Sequence, residues 1–228
     1  MKSLADARLY TFLDTAYLYG RRVERVAEDL CRGGSDVIQL RAKTSNEMEI
    51  RHLASSVVPV LTEFQVPLII NDYCQLARDV GAQGCHLGQE DFFGGGFIRK
   101  QEMSGKDQTS WILGLSSHAP AEAQRALIAG VDYLGVGPVY ETRTKPGRPA
   151  VSLSYVRWAL KNVTLPWFAI GGITLENLDE VLGAGARRVC VVSAILDRSD
   201  IAEACHDFKK RLTSAPPPGH QPSSEQKI

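Results

Sequence analysis

No stretch of the 228-residue chain comes near the roughly 20 consecutive apolar residues of a membrane-spanning helix, so no membrane association of that kind is expected. The opening residues, Met-Lys-Ser-Leu-Ala-Asp-Ala-Arg, lack the apolar core of a signal peptide, and the expected location is the cytoplasm. Neither sign of charge dominates, with 26 acidic residues against 26 lysines and arginines. A balanced chain has no global field for nucleic acid or an anionic membrane, so any anion must be held by a local group of cations. Also missing is a Cys-x-x-Cys pair. The five cysteines, Cys31, Cys74, Cys85, Cys190 and Cys205, are odd in number and scattered, which argues against a disulfide framework and against a zinc site. They are expected to be reduced and packed. No Walker-type phosphate loop and no Ser-His-Asp pattern is present, and the Asn162-Val-Thr164 sequon carries no weight without a secretory signal.

What the chain does have is a repeated strand-then-helix rhythm. Residues 8–14 are a short aromatic and aliphatic run, followed by apolar residues at helical spacing, Val23, Val26, Ala27 and Leu30, up to Gly33-Gly34. Residues 37–40 form the next apolar run, and the Thr44-Ser45-Asn46-Glu47 cluster offers a cap for a helix reaching about Phe64. The unit recurs at 68–70 before a helix through Leu76, Ala77 and Val80, at 84–87, and at 111–115 before a helix opened by Pro120. It recurs again at 133–136 before a helix over 153–160, at 167–170 before 175–182, and at 189–192 before 201–212. Between the fourth and fifth runs, residues 92–110 carry Gly94-Gly-Gly96 and read as an irregular loop and a poor helix. Residues 214–228, rich in Pro, Ser, Gly and Gln, read as a disordered tail, which leaves 1–213 as a single domain.

Eight such units in a little over roughly 200 residues predict an α/β fold, a single-domain (β/α)8 TIM barrel. The competing arrangement is a doubly wound open sheet. Leu68-Ile-Ile70 and Val189-Cys-Val-Val192 are continuously apolar, as parallel strands covered on both faces should be.

The polar residues fall at one end of these runs. Gln39, Arg41 and Lys43 leave the second, Asn71 and Asp72 the third, and Gln89 and Asp91 follow the fourth. Ser116 and His118 leave the fifth, Thr142, Thr144 and Lys145 follow the sixth, Gly171-Gly172 the seventh and Ser193 the eighth. In a (β/α)8 barrel these ends share the face on which active sites are built. Three cations beside two carboxylates suit a phosphate-rich ligand with Mg²⁺, which takes one or two carboxylates and completes its shell with phosphate oxygens and water. The plainer alternative for Asp72 and for Asp91 is a helix N-cap, and for the cationic loop of residues 131–148 an ordinary solvated surface loop. Gly171-Gly172 together with Val192-Ser193 resemble the phosphate site that barrels build after strands seven and eight, a second anion subsite. His86 reads as a satisfied core residue, His118 as a pocket residue or a cap, and His52, His206 and His220 as surface.

At these residues the chain resembles the thiamine-phosphate synthase family, from about Leu9 to about Leu196. The matching motifs are Gln39-Leu-Arg-Ala-Lys43, Ile70-Asn-Asp72, His86-Leu-Gly-Gln-Glu-Asp91, Gly114-Leu-Ser-Ser-His118, Asp132-Tyr-Leu-Gly-Val-Gly-Pro138, Thr142-Arg-Thr-Lys145, Ala169-Ile-Gly-Gly-Ile173 and Val192-Ser-Ala-Ile195. The resemblance implies a barrel enzyme that joins hydroxymethylpyrimidine diphosphate to hydroxyethylthiazole phosphate and releases pyrophosphate with Mg²⁺ present. Carried over position by position, it implies that Asp72 and Asp91 hold Mg²⁺ and that Arg41, Lys43, Asn71 and Lys145 bind the diphosphate. Gln39, Ser116 and Tyr133 would face the pyrimidine and its diphosphate, and Thr142, Thr144, Gly172, Val192 and Ser193 would hold the thiazole phosphate. Arg41, Lys43, Ser116 and Lys145 are the expected catalytic group. Two departures stand out: the glycine run after Asp91, and Ser152 where the family commonly carries glycine. A related thiazole tautomerase and a non-catalytic phosphate-ligand binding protein are the competing functions; the joint presence of Lys43, Asp72, Asp91 and Lys145 weighs against the tautomerase. Expected partners are the two small-molecule substrates, with a homo-oligomer left open.

Overall fold

A computed structural model describes residues 2–104, 111–142 and 149–214. Eight parallel strands close into a barrel in chain order: β1 (Leu9–Asp14), β2 (Val37–Arg41), β3 (Leu68–Asn71), β4 (Gly84–Leu87), β5 (Ile112–Ser117), β6 (Tyr133–Val136), β7 (Trp167–Ile170) and β8 (Val189–Val191). β8 returns to β1 with Tyr10 opposite Cys190, so the sheet has no free edge and the open-sheet alternative is excluded. Helices α1 (Val23–Arg32), α2 (Glu47–Glu63), α3 (Cys74–Asp79), α4 (Gln89–Gly94) and α5 (Lys100–Ser104) lie in the first half. The second half carries α6 (Pro120–Ala129), α7 (Ser152–Asn162), α8 (Leu178–Gly183), α9 (Ser193–Leu196) and α10 (Ile201–Ser214). Among the described residues no helix is long and apolar enough to cross a membrane.

Strand periodicity divides the core in two. Side chains alternate across a strand, so Leu9 and Leu13 pack outward among the helices while Tyr10 and Phe12 turn into the barrel. The interior cluster is small and aromatic: Tyr10 meets Phe168 edge-on at 5.3 Å, and Phe168 meets Tyr133 at 5.8 Å. These rings plug the barrel and leave the inward residues above them, toward the C-terminal strand ends, free to line a cavity.

Local signals account for the helix ends. Asn46 caps α2 by accepting the Glu49 N–H at 2.9 Å while the Glu49 carboxylate accepts the Asn46 N–H, a complete capping box. Four segments differ from the sequence expectation. The glycine run ends α4 at Gly94 rather than preventing it, because buried Phe92 anchors that turn against Phe93 and Phe97, so the irregular loop expected from residue 92 begins later. α8 begins at Leu178, not near 175, since Asn177 accepts the Thr174 N–H and donates to the Gly172 carbonyl, holding those residues in a non-helical turn. α9 was not expected at all; four residues are too few to show a period. α10 runs through Ser214, one residue into the expected tail, whose other residues lie outside those described.

The N-terminal end of the barrel is tied by two carboxylates, Asp36 buried and Asp132 half-buried. Asp36, just before β2, accepts the N–H groups of Arg8 at 2.8 Å and Leu9 at 3.1 Å and pairs with Lys209 on α10. Asp132, before β6, likewise accepts the Leu113 N–H at 2.6 Å and meets Lys100 at 2.8 Å. Burial works against the charged form of Asp36, but Lys209 and the two backbone donors outweigh it and hold the carboxyl below its ordinary value of 3.8. Asp36→Asn should therefore cost about 2 kcal/mol in urea unfolding at neutral pH. A depressed folded pKa stabilises above the unfolded value, so the gap between wild type and variant should close as pH falls below 3.8. A gap that stays constant through that window would show that the carboxylate is not the clamp.

Candidate active site

The C-terminal strand ends open into one cavity. Its floor is formed by Tyr10, Gln39, His86 and Tyr133, all inward-facing strand residues. Arg41, Asn71, Ser116 and His118 form one wall, and Thr142, Gly172, Val192 and Ser193 the opposite one. A depression adjoins the first wall, sharing Asn71, His86, Ser116 and His118, and is bordered by Lys43, Asp72, Gln89, Asp91 and Glu122. The residues expected at the site from sequence are thus brought together wherever they are described. Thr144 and Lys145 lie outside the described residues, so the catalytic and phosphate-binding roles expected of them stay with the sequence.

Several side chains are held before any ligand arrives. Arg41 at the end of β2 donates to the Asp14 carboxylate at 2.6 Å, and the register puts these two residues opposite each other on β1 and β2. Asp14 is buried, and its other oxygen accepts the Ala16 N–H at 3.1 Å. The carboxylate therefore aims the guanidinium without being exposed itself. Lys43 pairs with Asp72 at the rim, where both are partly solvated. Asp72 sits at φ 70, the left-handed region that aspartate tolerates better than most residues, and its N–H bonds the His86 carbonyl at 2.9 Å. Neither expected carboxylate is an N-cap: that position before α3 belongs to Tyr73 and before α4 to Gly88. Asp91 falls instead in the first turn of α4. Among the described residues no cluster of three or more His, Cys, Asp or Glu side chains is arranged to hold a metal by itself.

The second wall is built on glycine. A Cβ at Gly171, at φ +103, would lie 2.4 Å from Pro138, and one at Gly172, at φ +62, would lie 2.6 Å from the Glu141 carbonyl oxygen. Only bare backbone lets the segment after β6 lie against the end of β7, where Val139 and Tyr140 donate to the carbonyls of Ile170 and Gly171 at 2.8 and 3.1 Å. Where that segment returns, Ser152 stands at φ +61, which explains why glycine suits the position.

Sequence reasoning missed four participants. His86, assigned to the core, lines the cavity with Nδ1 3.0 Å from the Tyr133 hydroxyl and Nε2 2.9 Å from Ser116 Oγ. Tyr10 bonds Tyr133 and Gln39 beneath it, at 2.8 Å each. Asp14 orients Arg41, and Glu122 fixes His118 by accepting its backbone N–H at 2.7 Å and bonding Nδ1 at 2.9 Å. Strict alternation along β1 and β4 would have turned Tyr10 and His86 inward. Nothing local marks Asp14 or Glu122. The described cysteines are free and buried, and burial pushes the Cys190 and Cys85 thiols well above their ordinary range, which leaves them poor nucleophiles.

Residues 9–195 match the family described as thiamine monophosphate synthase. The chain belongs to that family. It is 48% identical over 181 residues to a thiamine-phosphate synthase of Thermus thermophilus, covering 79% of this chain and 84% of that one. It is 36% identical over 210 residues to the thiamine-phosphate synthase of Halalkalibacterium halodurans, covering 92% and 97%. The solved thiamine phosphate pyrophosphorylase from Pyrococcus furiosus superposes with a TM-score of 0.76 at 24% identity, covering 92% of this chain and 96% of that one, a likeness of fold. With curated homologues of one name along most of its length, the chain is an enzyme of the thiamine-phosphate synthase type, a transferase of thiamine biosynthesis.

Relieving the Ser152 backbone should be detectable. Ser152→Gly is expected to raise unfolding stability by about 0.5–1 kcal/mol, the strain of a non-glycine residue in the left-handed region less the added freedom of the unfolded chain. A destabilised Ser152→Gly would mean that the Ser152 hydroxyl, which bonds Ser154 Oγ at 2.8 Å, outweighs the strain.

Proposed function

We propose that the protein condenses 4-amino-2-methyl-5-hydroxymethylpyrimidine diphosphate with 4-methyl-5-(2-hydroxyethyl)thiazole phosphate, giving thiamine phosphate and pyrophosphate. The observation that carries this reading is the pairing of two polar walls across one cavity. A cation-bearing wall with two carboxylates at its rim faces a glycine and hydroxyl wall, over a floor of neutral hydrogen-bonding groups. A diphosphate and a monophosphate can each find a wall, with their rings meeting between.

Magnesium fits the residues present. Asp72 and Asp91 border one depression and neither is spent on a helix cap. Two carboxylates without a third ligand suit an ion that completes its shell from the substrate's phosphates. When bound it would add positive charge beside the leaving pyrophosphate.

In this mechanism the carbon–oxygen bond of the pyrimidine's methylene breaks with its electron pair going to pyrophosphate. The ring amine stabilises the resulting cation, and the thiazole nitrogen lone pair closes the new carbon–nitrogen bond. The protein's share is positioning and charge. Arg41, pre-aimed by Asp14, with Lys43, Asn71 and Lys145, receives the diphosphate and its departing charge. Gln39, Ser116 and Tyr133 hold the pyrimidine. Thr142, Thr144, Gly172, Val192 and Ser193 hold the thiazole phosphate, a handle that orients the ring for attack. No protein nucleophile is required. The five free, buried thiols accord with a reducing cytoplasm.

The test is to incubate the purified protein with both phosphorylated substrates, with and without Mg²⁺, and to measure thiamine phosphate and pyrophosphate. Formation of both products in a Mg²⁺-dependent manner is expected. Conversion of the thiazole substrate alone would mark a tautomerase, and binding without product a phosphate-ligand binding protein. Asp72→Ala and Lys145→Ala should each lower turnover by at least about 10²-fold, as loss of a charge-stabilising group does elsewhere. Near-normal kinetics in both variants would remove these residues from the site.

A further inference from the structure

The cavity floor contains an unbroken chain of side-chain hydrogen bonds. Gln39 Nε2 donates to the Tyr10 hydroxyl at 2.8 Å, and the Tyr10 and Tyr133 hydroxyls lie 2.8 Å apart. The Tyr133 hydroxyl lies 3.0 Å from His86 Nδ1, and His86 Nε2 lies 2.9 Å from Ser116 Oγ. The chain therefore links strands β2, β1, β6, β4 and β5 in turn. Space for it is reserved in the sequence: a Cβ on Gly114 would lie 2.0 Å from the Tyr133 ring, so only glycine on β5 lets that hydroxyl reach the histidine.

Proton counting gives the chain a direction. Each phenol has one proton, and burial pushes both phenols well above their ordinary range, so neither loses it. Gln39 already donates to the Tyr10 oxygen. Among the described residues the Tyr133 oxygen is then the acceptor left for the Tyr10 proton. Having accepted from Tyr10, Tyr133 spends its own proton on His86 Nδ1. A neutral imidazole that accepts at Nδ1 carries its proton on Nε2, and that N–H points at Ser116 Oγ. Running the chain backwards would set the Tyr10 proton against the Gln39 amide hydrogens in a buried place, unless Gln39 turned its carbonyl to Tyr10.

We propose that this floor is a directional relay, Gln39 to Tyr10 to Tyr133 to His86 to Ser116, which locks His86 as the Nε2–H tautomer and presents the Ser116 hydroxyl to the cavity as a hydrogen-bond donor. Two consequences separate it from a mere buried network. First, the Ser116–His86 pair, which has the spacing of a nucleophile and its base, is no such pair: the histidine gives Ser116 a hydrogen bond instead of taking its proton. Second, with one Ser116 lone pair taken by His86, the hydroxyl proton is left for the cavity, which favours an acceptor at this point, a ring nitrogen or a phosphate oxygen. Tyr10 and His86 are positioning residues acting through Ser116. The choice of acceptor rests on the functional reading above; the tautomer does not.

Nitrogen-15 spectra of histidine-labelled, ligand-free full-length protein decide the matter, with the His86 signals assigned by their loss in His86→Asn. A single Nε2–H tautomer is expected in the wild type. In Tyr10→Phe the Tyr133 hydroxyl is free to turn, and both tautomers should appear. The same variant should lower kcat/KM for the pyrimidine diphosphate about tenfold, the cost of one misdirected hydrogen bond, with KM for the thiazole phosphate unchanged. An Nδ1–H tautomer in the wild type, or an unaltered tautomer in Tyr10→Phe, overturns the relay. Should Tyr10→Phe not fold, the wild-type spectrum and Tyr133→Phe, in which Nδ1 loses its donor, still decide it. A wild type that shows the Nε2–H tautomer but forms no thiamine phosphate would sink the functional reading and leave the relay standing.

Discussion

The two-residue period of a strand, once eight strands are closed into a ring, governs this molecule. Closure gives every second side chain only the barrel interior to occupy, so a single register determines both what fills the barrel and what stands at its mouth. Tyr10 and Phe12 on β1 continue upward to Asp14, and Gln39 on β2 continues to Arg41. Phe168 gives way to Ile170, and Cys190 to Val192. The aromatic plug and the polar cavity are thus successive layers of the same inward rows, and a one-residue slip in any strand would exchange its row for the helix-facing set.

That constraint also explains what could be read from sequence. The strand runs were short, bounded by glycine or polar residues, and apolar on both faces, so the eightfold rhythm and the parallel barrel were legible. The polar residues at the strand ends were legible too, because Arg41, Asn71, Asp72 and Ser116 follow apolar runs directly. Side chains recruited across the chain were not. Asp14 acts on Arg41 and Tyr10 on Tyr133 only because the register makes them neighbours, and distance along the sequence gives no hint of it. His86 was misjudged for a related reason: a histidine on a buried strand reads as core unless the direction of its row is followed. The shift of α8 to Leu178 has a different origin, a side-chain turn at Asn177 that outcompetes the apolar spacing.

The site is largely organised within the fold itself. Asp14 holds Arg41, the Asn71–Asp72 turn is pinned by the His86 carbonyl, and the glycines after β7 let the neighbouring segment close on the second wall. Ordering such groups costs conformational entropy, and here much of that cost falls on folding rather than on ligand binding. Two of the non-glycine residues at positive φ, Asp72 and Ser152, lie at the same mouth, so part of the site's geometry is held against local backbone preference.

The carboxylate clamps at Asp36 and Asp132 stand at the opposite end of the strands from this mouth. Changes at sites that share no contacts add almost independently. Loops at the mouth can therefore diverge, exchanging one phosphate-bearing ligand for another, while the far rim goes on holding the ring shut. A scaffold divided in this way can be inherited intact by lineages whose chemistry has drifted apart.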